Sequence, residues 1–524
     1  MKKTFLEKLL EYYNLSSDDY LYLTRDLTFD DIPSPYKFIG MKEAVDIVKE
    51  SIAQDEKIVV YGDYDADGIT STSIIVKSFL YLGKKIGYYV PSRYIDGYGI
   101  TLTRAKEIVE KGYQLVILVD NGICANESVQ YLKDNGLKVI IIDHHESGAI
   151  LPNADAIIHP QISSFSDIKT SAGFCSFMFS IALLERIDNY LLYLGAISVI
   201  SDMMPLVGFN RDIVRLAGEL YKKYPFYNID LLKEDNNFDY VGIGIKIAPK
   251  INAIGRIIKT TAINHLVTYF TCEDNVQVFS MYKWIEDINE RRKEMTKKFP
   301  LDISPSEEKE NGLIKVYDID EGINGIIANR IIQTYEKPTI VLTKDSNDDN
   351  ILKGSMRARA PFNVVECLSA LKDYLLTSGG HALAGGLSLK VENYQTFKEK
   401  YLKYCKETNF TTESKKDRSI LLNLSEVTFE NYQILMSLSP FGQQFEAPLF
   451  SIEKIRSGAL SFTYNGKHII SKISTQSSIV GFNIDKAEFL SEPYRDLYGT
   501  LSLNKYKDST TLQFVIDYYT KGNN

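Results

Sequence analysis

Asp63, Asp65 and Asp67 alternate in GDYDADG, Asp120 ends QLVILVDNG, Asp143, His144 and His145 end LKVIIIDHH, and Asp202 follows the apolar LGAISVIS. Carboxylates gathered from such separate stretches repel one another and resist ionisation unless a cation compensates. Oxygen ligands with one or two imidazoles suit a hard or borderline divalent ion, Mn2+ or Mg2+, without choosing between them. Four or more carboxylates can hold two ions about 4 Å apart, an arrangement that activates water and clamps a phosphoryl group. A calcium loop beginning at Asp63 is argued against by Ile74, which stands where an EF-hand needs glutamate.

The surrounding elements must bring these groups together. KIVVYGDY, KKIGYYVP, QLVILVD, LKVIIIDHH and ADAIIHP are short apolar runs of strand length. A helix-like stretch starts at about Thr70, and TLTRAKEIVEKG and NESVQYLKDNG each close on a glycine suited to a helix C-terminus. This alternation predicts an α/β fold with a parallel, helix-covered sheet whose strands are buried on both faces. Three acidic sites then lie at the C-terminal ends of parallel strands, the edge where open α/β sheets bind ligands. Asp202 reads as a fourth acidic strand end.

From about residue 175 to 300 the pattern is mainly helical, and the charged MYKWIEDINERRKEMTKKF predicts a long, exposed connecting helix. After the polar DISPSEEKENG, a second α/β region (LIKVYDI, PTIVLT, ILKGSMR) runs to about residue 408, and TNFTTESKKDRS reads as a linker. ALSFTY, KHIISKIS, SIVGFNI, LYGTLSLN and TLQFVIDYY predict an all-β module of small-barrel size. The expected organisation is an N-terminal helical lead-in at 1–56, a catalytic core at 57–215, and a helical region with connecting helix at 216–300. The second α/β domain covers 301–408 and the barrel 418–524.

At 524 residues, 44% hydrophobic and 24% charged, the chain has ordinary globular composition with room for several domains. A net charge of -8 excludes nucleic-acid binding through bulk positive charge and leaves local patches. Arg256 with Lys246, Lys250 and Lys259 makes one such patch, and Lys353, Arg357 and Arg359 make another. Arg291, Arg292, Lys293, Lys297 and Lys298 read as a solvated helix face. Tyr94, Tyr98 and Phe445 are candidates for stacking on bases, with Phe441 better suited to a core. Five scattered cysteines without a C-x-x-C pair fit a reducing, cytoplasmic setting. Glu7 and Glu11 make the N-terminus an amphipathic helix rather than a signal peptide, and no window long and apolar enough for a membrane span occurs.

Taken in order, VVYGDYDADGITST, VDNGI, IIDHHE and LGAISVISDMMPL resemble the motifs of the DHH phosphoesterase superfamily, and more closely those of the bacterial RecJ single-strand-specific exonucleases. PSRYIDGYGIT and PKINAIGR are similar to RecJ segments, KGSMRA and SGGHALAGGL to the DHH-associated domain, and LSPFGQQFEAPLF to the entrance of the family's oligonucleotide-binding (OB-fold) barrel. The resemblance implies Asp65, Asp67, Asp120, His144 and Asp202 as ligands of two Mn2+ or Mg2+ ions, with Asp120 as bridge. It gives Asp63 a ligand-orienting role, lets Asp143 position a histidine, and turns His145 toward the scissile phosphate or departing oxygen. Arg256, Ser355, Arg357, Gly379, Gly380, His381, Gly385 and Gly386 would contact phosphates. Three stretches depart from the pattern. Asp320 and Glu321 stand where the family has a tryptophan–histidine pair, SDMMPL replaces A-D-V-V-P-L, and FGQQFEAP lacks a glycine and an asparagine.

The implied activity is two-metal hydrolysis of single-stranded DNA from the 5′ end, releasing 5′-mononucleotides in DNA repair and recombination. The implied partner is single-stranded DNA and the implied state a monomer, while a single-strand-binding protein or helicase stays an open partner. Two alternatives share the core motifs: a phosphodiesterase for short oligonucleotides or cyclic dinucleotides, and a non-catalytic strand-binding scaffold.

Overall fold

The computed structural model describes residues 3–163, 169–234, 237–297, 299–346, 348–408, 418–464, 466–506 and 509–522. The chain forms two compact units, Met1–Thr28 with Glu413–Asn524, and Phe29–Thr412. The lead-in expected at 1–56 is therefore divided. Helix α1 (Phe5–Tyr13) starts in a reciprocal Thr4–Glu7 capping box, is followed by α2 (Ser17–Thr24), and buries Phe5 and Leu9 in the C-terminal unit. There Phe5 stacks on Phe450 at 5.9 Å and Lys8 Nζ reaches Glu426 at 2.8 Å. Helix α3 (Met41–Ala53) belongs instead to the larger unit, with Met41, Ala44, Val45 and Val48 buried.

The larger unit begins with β1 (Ile58–Tyr61), α4 (Ala66–Tyr81), β2 (Gly87–Tyr89), α5 (Leu102–Glu110), β3 (Leu115–Val119), α6 (Asn126–Asp134), β4 (Lys138–Ile142) and β5 (Ala156–Ile158). The strands form a wholly parallel sheet in the order β2-β1-β3-β4-β5. β1, β3 and β4 are buried almost throughout, as continuous Val/Ile/Leu runs require when helices cover both faces. The glycines closing α5 and α6 have φ of 72° and 79°. The strand order reverses around β1, so the crevice for a ligand opens beyond the C-terminal ends of β1 and β3.

α4 starts at Ala66, four residues before the stretch read from the sequence, because the side chain of Asp65 caps it by accepting from Gly68 N–H. It is buried from Ala66 to Phe79 among α7 (Ala172–Leu184) and α8 (Asn189–Ser201). Thr70, Ser71, Ser73 and Ser78 donate to carbonyls one turn back, which satisfies their hydroxyls inside an apolar core. The helix Asn275–Lys297 leads to a mixed sheet of β6 (Leu313–Val316), β7 (Thr339–Lys344), β8 (Ile351–Arg357), β9 (Thr377–His381) and β10 (Ala384–Lys390), ordered β6-β7-β8-β10-β9. One face of this sheet closes on Met356, Phe362, Phe397 and Tyr401.

The smaller unit carries β11 (Ser419–Leu421), β12 (Leu449–Arg456), β13 (Ile469–Lys472), β14 (Ser477–Gly481), β15 (Tyr494–Tyr506) and β16 (Ser509–Lys521). Among the described residues they pair as a six-stranded sheet, β11-β12-β15-β16-β14-β13, with β11 and β13 at its ends. The expected strand ALSFTY is replaced by a 3-10 turn at Ser457–Ala459 and a single bridge from Phe462 to Ile469. Most of the expected linker, 409–417, lies outside the described residues. No helix among the described residues is long and apolar enough to cross a membrane.

Candidate metal centre and phosphate pocket

Sheet register sets the first part of the site. Tyr61 pairs with Leu118 and Val119 with Ile142, so Asp63, Asp120 and Asp143, just past the ends of β1, β3 and β4, come level with one another. Asp120 has φ 61°, a left-handed backbone that aspartate tolerates better than most residues. Gly68 brings the first turn of α4 against this edge. A Cβ on it would lie 2.5–2.7 Å from the backbone of Asp63.

Asp67, in the first turn of α4, points at the N-terminus of α7. Its oxygens accept from Ala172 N–H (2.9 Å), Gly173 N–H (2.8 Å) and the Ser198 hydroxyl (2.6 Å). Asp202 does not end a strand as the sequence suggested. It is the residue that ends α8, where the helix dipole opposes a negative charge.

His144 sits in the centre. Its Nε2 lies 3.3 Å from Asp120, 3.6 Å from Asp67 and 3.5 Å from Asp202 carboxylate oxygens. Burial and then His145 push its pKa down to about 4, which leaves a neutral imidazole with a free lone pair. Ligand atoms converge in three overlapping groups: Asp63, Asp65 and Asp120; Asp67, His144 and Asp202; Asp120, His144 and His145. Asp120 is shared between two of them, and Asp63 stands among the potential ligands.

Burial, followed by repulsion from neighbouring aspartates, raises Asp63, Asp65, Asp120 and Asp202 above the usual carboxylate range. One oxygen each of Asp63, Asp120 and Asp202 is buried without a hydrogen-bond donor. Unpaired buried carboxylate oxygens facing one point are what divalent cations satisfy, so these residues fit a metal pair.

Asp143 has a different task. One oxygen accepts from His144 N–H and His145 N–H and lies 2.8 Å from His145 Nδ1, while the other accepts from Ile123 N–H. Burial opposes its ionisation, but the bond and charge of His145 hold it below the ordinary range. Against its own burial, His145 rises to about 9 through Asp143. The Tyr98 hydroxyl lies 3.0 Å from His145 Nε2, and His159 Nε2 lies 2.8 Å from the His145 carbonyl. The His381 ring lies 6.2 Å from that of His145.

A cationic pocket adjoins the acidic one. Arg256 ends the helix Ala248–Ile257, and Arg357 with Ser355 lies on β8. A Cβ on Gly325 would meet Arg357 Nη2 at 2.5 Å and Ser355 Oγ at 3.5 Å. Burial and the charges of Arg93, Arg357 and Arg292 push Arg256 down to about 9; burial and Arg93 push Arg357 to about 10. Among the described residues no carboxylate lies within ion-pair distance of Arg93, Arg256 or Arg357, and the buried Arg93 Nε has no acceptor. Arg93, in PSRYIDGYGIT, was missed from the sequence. Its signal was an arginine inside a matched motif between two acidic ones.

Most of the expected basic patches are neutralised. Lys250 pairs with Glu234 and Glu286, Lys246 with Glu234, Lys259 with Asp320, Lys353 with Asp345, and Arg359 with Glu336. Arg292 is half-buried rather than solvated, with its Nε buried and its charge felt by Arg256, and Lys298 lies outside the described residues. Tyr94 is 8% exposed with its hydroxyl engaged, so it offers no face to a base. Phe445 is stacked between Tyr13 and Phe441. Gly379, Gly380 and His381 form the exposed outer strand β9, with Gly385 and Gly386 opposite them on β10.

Family models match in the same order as the structural parts: the N-terminal domain of the DHH family at residues 57–195, the DHHA1 domain at 309–407 and the RecJ OB domain at 420–518. In all three domains the chain is similar to the RecJ family. It is 32% identical to the single-stranded-DNA-specific exonuclease RecJ of Bacillus subtilis over 94% of its own length and 64% of that relative's. Against the RecJ of Haemophilus influenzae the identity is 28%, over 94% and 92% of the two chains. The RecJ of Thermus thermophilus, solved in complex with Mn2+, shares the fold at a TM-score of 0.83 and 23% identity, covering 99% of this chain and 76% of that one. A second RecJ structure, bound to manganese, matches at a TM-score of 0.62 and 27% identity over 74% of this chain and 97% of that one.

Proposed function

We propose that this chain is a metal-dependent exonuclease specific for single-stranded DNA, working from the 5′ end and releasing 5′-mononucleotides. The observation that carries the reading is the juxtaposition of two uncompensated charge clusters, one of buried aspartate oxygens without donors and one of half-buried arginines without carboxylate partners among the described residues. Asp63 feels the charge of Arg93, and Asp65 that of Arg256, so the pockets are neighbours. A strand laid across them would put its terminal phosphate among the arginines and the next phosphodiester at the aspartates.

Asp63, Asp65, Asp67, Asp120, His144 and Asp202 are the groups that would hold two divalent ions. When bound, such ions supply a water of lowered pKa and neutralise charge on the phosphoryl oxygens. Asp67 is fixed by α7 and Ser198, and neutral His144 offers Nε2, so the ligand set is organised before metal arrives. His145, held through Nδ1 by Asp143 and with Nε2 beside the Tyr98 hydroxyl, would stabilise the charge that develops on the departing 3′-oxygen. Arg93, Arg256 and Arg357, with no carboxylate among the described residues to neutralise them, would hold the strand's terminal phosphate through charge-assisted bonds. The glycine strands β9 and β10 let backbone approach a single strand closely, and the Tyr98 ring beside His145 gives a base a surface to stack on.

The test is digestion of end-labelled strands with Mn2+ or Mg2+. A 5′-phosphorylated single strand should be shortened from its 5′ end to mononucleotides and a blunt duplex spared. Equal digestion of both, or loss from the 3′ end, would overturn the reading.

A further inference from the structure

Three segments distant in sequence meet at Tyr94. Its hydroxyl lies against the carbonyl of Arg256 and the carboxylate of Asp320. Lys259 Nζ stands 5.0 Å from the centre of its ring and 3.2 Å from Asp320 Oδ2. Asp320 also caps the short turn Glu321–Ile323 by accepting from Gly322 N–H at 3.1 Å. A Cβ on Gly322 would lie 2.0 Å from the Arg256 carbonyl oxygen and 2.8 Å from Tyr94 Oη, so only glycine lets these backbones approach so closely.

Tyr94 follows β2, Arg256 is in the last turn of the helix Ala248–Ile257 with Lys259 just beyond it, and Asp320 follows β6. The contact therefore ties the first sheet of the larger unit to the second, which the chain joins through the helix Asn275–Lys297. Each member adjoins a pocket arginine. Tyr94 is next to Arg93, the carbonyl is that of Arg256 itself, and the turn opens the helix Asn324–Tyr335, whose Gly325 abuts Arg357. Arg93 and Arg357 repel Arg256, and a tie beside them opposes that repulsion.

We propose that Tyr94, Asp320 and Lys259, seated on Gly322, form a latch that fixes the spacing of the two halves of the larger unit, so that Arg93, Arg256 and Arg357 face a single phosphate. The three are positioning residues. They act on the strand end through the arginines, and the proposal rests on the phosphate-pocket reading above.

The test uses the full chain with Tyr94→Phe, Asp320→Asn and the double substitution, each nearly isosteric. With Mn2+ and a 5′-phosphorylated single strand, each single variant should raise KM about tenfold while kcat stays within about twofold. The double variant should raise KM no further, since both changes break one device. Strands ending in a 5′-hydroxyl should show little of this effect. In hydrogen exchange of the metal-free protein, residues 93–97 and 320–325 should lose protection together in every variant. Unchanged KM in both single variants, or full additivity in the double, overturns the latch. If the unaltered chain digests neither strand, the exonuclease reading fails and exchange decides the latch alone: deprotection of one segment without the other overturns it.

Discussion

Asp120 concentrates the physical conflict of the site. It is buried, held in a left-handed backbone, shared by two ligand groups, and one of its oxygens has no donor. In the absence of metal its buried charge opposes folding, and a divalent cation would compensate it. Asp120→Asn should therefore reduce hydrolysis by about 100-fold or more. The same change should stabilise the metal-free protein by about 1–3 kcal/mol, because a buried unpaired charge becomes a neutral amide. Melting with chelator and with Mn2+ checks both signs. The unaltered chain should melt higher with Mn2+, the variant should lose most of that rise, and its melting point in chelator should exceed the unaltered chain's.

The elements around the site carry their own constraints. The first turn of α4 can lie against β1 only while residue 68 lacks a side chain. Gly68→Ala should displace Asp65 and Asp67, cost about 1–3 kcal/mol and weaken Mn2+ binding, as read by unfolding and by metal titration. Farther out, Glu234 receives Lys246 and Lys250, and their bonds and charges hold its carboxyl down to about 2 from an ordinary 4.5. A depressed carboxyl stabilises above its unfolded value and loses that contribution as pH falls through its folded one. Glu234→Gln should be less stable at neutral pH by about 1 kcal/mol, allowing for solvent screening. The deficit should close between about pH 4.5 and 2, as urea midpoints across that range would report.

At the scale of the molecule, a net charge of -8 coexists with a local positive field because Lys250, Lys259 and Lys353 are paired with carboxylates while Arg93, Arg256 and Arg357 have none among the described residues. The two compact units divide the work. Residues 29–412 hold both sheets and every proposed catalytic group, while α1 and α2 belong with the C-terminal sheet. A chain of residues 29–412 should fold and hydrolyse short oligonucleotides with Mn2+ while losing grip on long strands, since an OB-type module holds about 4–16 nucleotides. Rates on strands shorter and longer than that span give the comparison. Equal losses on both would place the C-terminal unit in folding rather than in strand holding.

The acidic motifs and the alternation of strands and helices were legible in the sequence because both are local. A strand end fixes where Asp63, Asp120 and Asp143 emerge, and a continuous apolar run marks a strand buried on both faces. Asp202 ended a helix instead of a strand, since a short apolar run looks alike in either when it is wholly buried. The role of the charges came only with tertiary structure. Lys250 and Arg256 are six residues apart and read as one patch, yet folding gives Lys250 two carboxylates and leaves Arg256 under the charges of Arg93 and Arg357. Sequence determined which groups could do chemistry and the order of the elements that carry them. Which charges are cancelled, which stay unsatisfied, and that Tyr94 ties the halves together instead of stacking on a base depend on partners up to 226 positions away. No local pattern encodes those partners, because electrostatic pairing is a property of distance in space.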